Sequence, residues 1–134
     1  MIRGVGILLF AAVLPALASL VIHRGSLARA IAPVVGISYR EAFLGNVIWV
    51  DARSADEYRR DHVAGAISLG TEGWDQALAE IARRWKPGVR IVVYCSAGCD
   101  LAREAAVRLR TDAGIEGVFT LEGGWPPGAA GDGR

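Results

Sequence analysis

"IVVYCSAGCDLAREAAVRL", residues Ile91–Leu109, is the stretch on which the reading of this chain turns. Ile91 to Tyr94 is a continuous apolar run rich in β-branched residues, which suits a strand buried on both faces of a sheet. It runs directly into Cys95-Ser96-Ala97-Gly98-Cys99-Asp100. A helix is expected from Leu101 to about Ala113, stopped by Gly114 in the C-terminal capping position. In open α/β sheets, ligands bind beyond the carboxyl ends of strands, where loops lead into helices. Cys95 stands at such an end. Gly98 lets the loop curl, so backbone N–H groups and the helix dipole can favour an anion at the sulfur, whether a thiolate or the terminal sulfur of a persulfide. On that reasoning Cys95 is expected to be a nucleophile of depressed pKa. The competing reading is an inert buried thiol that merely completes the strand.

Working outward, "VIWV" from Val47 to Val50 is a second buried strand, with Asp51 at its exit. Ser38 is placed to cap a short helix over Tyr39 to Leu44, ended by Gly45-Asn46. Ser54-Ala55-Asp56-Glu57 matches a capping box, in which the Ser hydroxyl and Glu carboxylate each satisfy the other's backbone N–H. A helix through Arg60 follows from it. Ala66 to Leu69 is read as a brief strand, Gly70 to Gly73 as a turn, and Trp74 to Trp85 as an amphipathic helix with Trp74, Leu78, Ile81 and Trp85 on its core face. Pro87-Gly88 breaks that helix, and Val118 to Leu121 makes a further strand closed by Gly123-Gly124. Strands separated by helices predict an α/β domain with a mostly parallel sheet.

Charge divides the chain. Apolar residues make up 52% and charged ones 22%, which is globular composition, and the net charge of +1 gives no reason to expect a nucleic-acid partner. No acid precedes Glu41, whereas Arg3, His23, Arg24, Arg29 and Arg40 do. Gly4 to Ile22, "GVGILLFAAVLPALASLVI", carries no charge and has the length of an apolar helix that crosses a bilayer, about twenty residues. Residues 1–24 are therefore expected to be a membrane anchor or a signal peptide, the latter with Ala16-Leu17-Ala18 as its small-x-small cleavage site. Residues 25–36 read as a linker, 37–127 as the folded domain, and 128–134 as a Gly- and Pro-rich disordered tail. Arg24 and Arg29 after the segment outnumber Arg3 before it, which favours a cytoplasmic body. Default insertion of an N-terminal signal sequence favours the outside, and the reading leans that way.

Three ordered motifs then carry a family resemblance. "VDARSADEYRRDHVAGAISL" (Val50–Leu69), "VVYCSAGCDLAREAAVRL" (Val92–Leu109) and "GVFTLEGGW" (Gly117–Trp125) together resemble the hallmarks of rhodanese-like domains. The resemblance spans about Ile37 to Pro127. It implies a five-stranded parallel sheet flanked by helices, preceded here by the N-terminal hydrophobic helix. It also implies that Cys95 carries sulfane sulfur as a persulfide between a small sulfur donor and a thiol acceptor, with neither metal nor organic cofactor. Asp51, Arg53, Glu57, His62, Gly65 and Ala66 fall on the first hallmark, where such residues brace loops. A local Arg53–Glu57 ion pair and an Asp51 anchor on backbone are the corresponding readings from the residues themselves.

The departures are informative. The usual loop, Cys-Arg-x-Gly-x-Arg, offers cations to thiosulfate, and here those places are Ser96 and Asp100. Asp100 is expected to repel a dianion. Arg103, one turn into the next helix, partly compensates or simply faces solvent. The phosphatase signature Cys-x5-Arg would need Arg where Leu101 stands, which argues against phosphatase chemistry. Two Cys with His62 leave a zinc site one ligand short. Three functions follow for comparison: sulfane-sulfur transfer through Cys95, with Cys99 as an optional resolving thiol that attacks the persulfide; a thiol-disulfide switch in which Cys95 and Cys99 cycle between dithiol and disulfide; and a silent binding module tethered to a membrane through residues 4–22, its protein partner unidentified.

Overall fold

The computed structural model describes residues 32–125. The segment 4–22, the first part of the linker and the tail lie outside the described residues. The chain divides between Pro33 and Val34, and the second unit contains the sheet.

Five strands form one sheet: β1 (Gly36–Ile37), β2 (Val47–Asp51), β3 (Ile67–Ser68), β4 (Arg90–Tyr94) and β5 (Val118–Leu121). Their spatial order is β1-β5-β4-β2-β3 and every pairing is parallel. The helices are α1 (Tyr39–Phe43), α2 (Ala55–Arg60), α3 (Leu69–Glu72), α4 (Trp74–Arg84) and α5 (Leu101–Asp112). This is the α/β architecture with a five-stranded parallel sheet that the sequence predicts.

Side-chain alternation along the two long strands shows why both had to be apolar. Ile91 and Val93 of β4 join Ile48 and Val50 of β2 in one core layer, packed against Ala77 and Ile81 of α4 and Ala102, Ala105, Ala106 and Leu109 of α5. Val92 and Tyr94, one residue out of phase, point to the opposite layer with Ile37, Ala42, Val63, Leu121 and Trp125, against which Trp49 and Tyr58 pack. Successive side chains of a strand face opposite sides, so a sheet covered on both faces needs unbroken apolar runs. Ile91, Val92, Val93 and Tyr94 are fully buried, and each such side chain contributes about 1.5–3 kcal/mol relative to exposure.

Two local readings need correction. Gly36–Ile37 is a strand rather than linker and domain edge: it pairs with Thr120 and Leu121 of β5 and closes the sheet at that side. The stretch read as a strand end and turn is the short helix α3, because the Ser68 hydroxyl accepts from the Thr71 N–H and caps it. Elsewhere the caps fall where expected. Ser38 accepts from the Glu41 N–H, the full Ser54/Glu57 capping box forms, and Gly114 takes a left-handed φ of 63° just past α5.

The sheet order fixes where a site can form. From β2 the chain moves outward to β3, whereas from β4 it moves the other way to β5. The loops leaving adjacent strands β2 and β4 thus turn in opposite directions. Such a switch point opens a crevice at the carboxyl ends of the two strands. Asp51 and Tyr94 are register partners at that edge, and Cys95 is the next residue.

Candidate active site

Cys95 is 2% exposed and sits at the floor of a pocket of about 170 Å³. Among the pocket walls are Ser96, Gly98, Cys99 and Asp100 of the loop, Ala102 and Arg103 of α5, and Gly123 and Gly124 beyond β5. The loop closes as a turn, with the Cys99 N–H donating to the Ser96 carbonyl at 3.2 Å, and Gly98 supplies the φ of 74° it needs. Cys95 Sγ lies 3.1 Å from the Cys99 carbonyl oxygen and 3.3 Å from that of Ser96, so the S–H is held by acceptors. Both cysteines are free thiols.

These contacts overturn the expectation of a depressed pKa. Burial pushes the Cys95 thiol up to about 11, and the neighbouring Cys99 thiol and the Asp100 carboxylate push the same way, while the backbone N–H of Ala102 pulls it down. A desolvated thiolate surrounded by carbonyls and a carboxylate costs more than one helix-terminal N–H returns. The resting site therefore holds a neutral thiol. The anion-favouring element is nonetheless in place. Asp100 occupies the N-cap of α5 without capping it by its side chain, and the Ala102 backbone N–H in that first turn is directed at the Cys95 sulfur.

The first hallmark braces this loop from beneath. Asp51 is fully buried and accepts from the Arg53 backbone N–H at 2.8 Å and from its guanidinium at 2.7 and 3.0 Å. Asp51 is thus the backbone anchor the sequence suggested. Arg53, however, pairs with Asp51 and not with Glu57: it reaches the Asp61 carbonyl at 2.6 Å and lies over the Tyr94 ring. Glu57 has a different task, accepting from Ser54 within the capping box and from the Ser96 hydroxyl at 2.7 Å. Those hydrogen bonds, Ser96 first and Ser54 next, hold its carboxyl down to about 2. Ser96, which takes the place of a cation in the loop, is thus tied to α2.

His62 is not brought to the pocket. Its Nδ1 is 2.7 Å from the Tyr58 carbonyl and its ring stacks on Tyr58 at 3.9 Å. Asp61, in the position before it, accepts from the Trp125 indole N–H at 2.9 Å. Ala97 and Leu101 complete the loop, the latter half-exposed. Arg103, read as either compensating or solvated, is both exposed and part of the pocket wall. Among the described residues no three His, Cys, Asp or Glu side chains cluster as metal ligands.

Sequence reasoning missed the role of the last motif. Gly123-Gly124 marked the end of β5, but Gly124 does more. It adopts a φ of 73°, and a methyl group there would come within 2.7–2.8 Å of Ala97 N, Cys95 O and Ser96 C. The Trp125 N–H donates to the Cys95 carbonyl at 2.8 Å. The segment after β5 is therefore pressed onto the back of the cysteine loop. The paired glycines followed by tryptophan were a visible signal of close backbone approach.

With this geometry established, comparison with known proteins is consistent. The sequence profile of the rhodanese-like domain matches residues 39–129, and the chain belongs to that family. Membership associates it with sulfurtransferase-type, sulfur-related chemistry. A Bacillus halodurans protein of known structure is similar over 80% of this chain and 76% of its own, at 21% identity and a TM-score of 0.53, which speaks to the fold alone. The N-terminal domain of a Clostridium difficile 630 protein matches at 25% identity over 67% of this chain and 92% of its own, with a TM-score of 0.49. A Lactobacillus plantarum protein matches at 23% identity over 67% and 77%, with a TM-score of 0.47. No curated protein sequence matches the chain.

Proposed function

We propose that the protein carries sulfane sulfur as a persulfide on Cys95, transferring it from a small sulfur donor to a thiol acceptor, with weak activity toward thiosulfate. The observation that carries this reading is the position of Cys95 Sγ: at the floor of a small pocket, in a strand-end crevice, beneath the uncapped first turn of α5. A thiol displaced toward that turn attacks the outer sulfur of the donor and loses its proton as the donor's thiol departs. The resulting persulfide extends into the pocket, where the α5 N–H groups favour its charge.

Donor choice follows from the wall. Asp100 places a carboxylate where a dianion would have to bind, and Arg103 is an exposed cation at the rim. A neutral or singly charged persulfide suits that balance better than thiosulfate. The N-terminal segment 4–22 is proposed to hold the domain at a membrane, with the body outside the cytoplasm.

The test is intact-protein mass after exposure to thiosulfate and, separately, to a small-molecule persulfide. It is run in a Cys99→Ser background so that the neighbouring thiol cannot act on the product. Gain of one sulfur from the persulfide, lost in Cys95→Ser/Cys99→Ser, supports the reading. Absence of any gain from either donor overturns it.

A second reading, a thiol-disulfide switch, is favoured by one observation: Cys95 and Cys99 are both free and line the same pocket. A disulfide that forms and reopens under a redox buffer, with no sulfur uptake, would select it.

A further inference from the structure

Cys99 stands out because the sulfur-carrier reading does not use it. It is four residues from Cys95, half-buried, and part of the wall of the same pocket. Its carbonyl oxygen is 3.1 Å from Cys95 Sγ, so its Cα and side chain lie within a few ångströms of that sulfur. A disulfide between them needs Cα atoms about 4.4–6.8 Å apart. Between them Gly98 turns the loop at a φ of 74°. The Cys99 thiol also acts on the Cys95 thiol strongly enough to help raise it.

Resting on the persulfide reading, we infer that Cys99 is a resolving thiol that discharges the Cys95 persulfide as hydrosulfide. Cys99 is then the thiol acceptor within the chain, and the protein acts as a dithiol reductant of persulfides. In the first step a donor R–S–SH passes its outer sulfur to the Cys95 thiol and leaves as R–SH. In the second, the Cys99 sulfur attacks Cys95 Sγ, the inner sulfur of the persulfide. The bond between Cys95 Sγ and the outer sulfur breaks, and the outer sulfur leaves with its electron pair and the proton as HS⁻. The sulfane sulfur is thereby reduced, and the two cysteine sulfurs are oxidised to a disulfide. A thiol reductant, two equivalents per turnover or one dithiol, reopens that bond for the next cycle.

The pocket chemistry is consistent with this direction of attack. Asp100 lines the pocket that an external thiol acceptor would enter, whereas Cys99 is already part of its wall. Once the persulfide has formed, a neighbouring nucleophile held in place has the advantage of high effective concentration.

The experiment uses the whole chain, reduced and freed of reductant, and mixed with a slight excess of a small-molecule persulfide. Hydrosulfide is followed over time, and intact mass is measured at the end. The wild type is expected to release hydrosulfide in a burst stoichiometric with protein and to end two hydrogens lighter. Cys99→Ser and Cys99→Ala are expected to lose the burst and retain one sulfur on Cys95. If the wild type also retains the sulfur, or the two variants release hydrosulfide at the wild-type rate, the inference falls while the persulfide reading stands. If neither variant takes up sulfur, both fall together. Far-ultraviolet circular dichroism of the variants separates loss of chemistry from loss of fold.

Discussion

Replacing Gly124 by alanine probes the contact on which the shape of the cysteine loop depends. The residue sits at a φ of 73°, where an L side chain costs about 1–2 kcal/mol. The added methyl would also meet Ala97 N at 2.7 Å and Cys95 O and Ser96 C at 2.8 Å, all of them backbone atoms that cannot swing aside as a side-chain tip would. Overpacking of that kind adds about 1–3 kcal/mol. The expected loss is therefore about 2–5 kcal/mol, a large share of the 5–15 kcal/mol typical of a domain. Gly98→Ala is the matched control. Its φ of 74° carries the same conformational cost, but its Cβ would meet nothing within 4 Å. Urea unfolding of the two variants isolates the contact, because with a slope of about 1–3 kcal/mol/M the extra loss in Gly124→Ala shifts the midpoint by on the order of 1 M beyond the control. Sulfur uptake at Cys95 should fall more in Gly124→Ala than in Gly98→Ala under conditions where both are folded. Equal destabilisation of the two variants would refute the reasoning, since it would leave only the backbone conformation and no pressure on the loop.

Other expectations follow from the same contacts. Arg53→Met leaves the buried Asp51 carboxylate without its guanidinium and should cost about 3–5 kcal/mol in urea unfolding, whereas Asp51→Asn combined with Arg53→Met should recover part of that loss, and equal losses would contradict the pairing. Glu57→Ala removes both the reciprocal cap of α2 and the anchor of Ser96, costing about 1 kcal/mol at neutral pH. Because folding lowers the Glu57 carboxyl to about 2, its contribution is present above the unfolded value near 4.5 and disappears as pH falls through about 2. The stability gap between wild type and variant should narrow over that window, and a gap constant from pH 5 to pH 2 would count against it. For Cys95, raised to about 11 by burial, Cys99 and Asp100, alkylation in a Cys99→Ser chain should keep climbing above pH 8. Asp100→Asn should move that rise to lower pH, and a plateau near neutrality would show that the thiolate is stabilised after all. The same shift destabilises the fold in alkali: the contribution of the neutral thiol is complete below the unfolded value near 9 and is lost as pH rises through about 11. Arg103→Ala should slow transfer from an anionic persulfide donor a few-fold, in line with the roughly 0.2–1 kcal/mol of an exposed charge contact, and no change with a neutral donor is the matching control.

Much of this was legible because the signals were local or repeated. Unbroken apolar runs marked β2 and β4, Val118-Phe119 with Leu121 marked β5, and Ser54 and Glu57 announced the start of α2 within four residues. What escaped depended on tertiary partners. The two-residue strand Gly36–Ile37 carries no periodic pattern of its own and exists because Thr120 and Leu121 of β5 offer it an edge. Helix α3 contains a glycine, Gly70, which reads as a turn, yet that glycine passes so close to Arg53 O and Ala55 N that no side chain would fit. Arg53 had two acids within reach in sequence, and it pairs with Asp51 while Glu57 accepts from Ser54 and Ser96. The raised Cys95 pKa escapes sequence reading for a related reason: strand and helix propensities reveal the helix terminus beside the sulfur but not its burial, nor the Cys99 thiol and Asp100 carboxylate that act on it.

The most direct test of the central claim, that Cys95 carries sulfane sulfur, is to load reduced Cys99→Ser protein with a small-molecule persulfide, desalt it, and titrate with cyanide. The account predicts a single thiocyanate released per chain and none from Cys95→Ser/Cys99→Ser treated alike. No thiocyanate from the loaded protein, or the same amount from both, would contradict it.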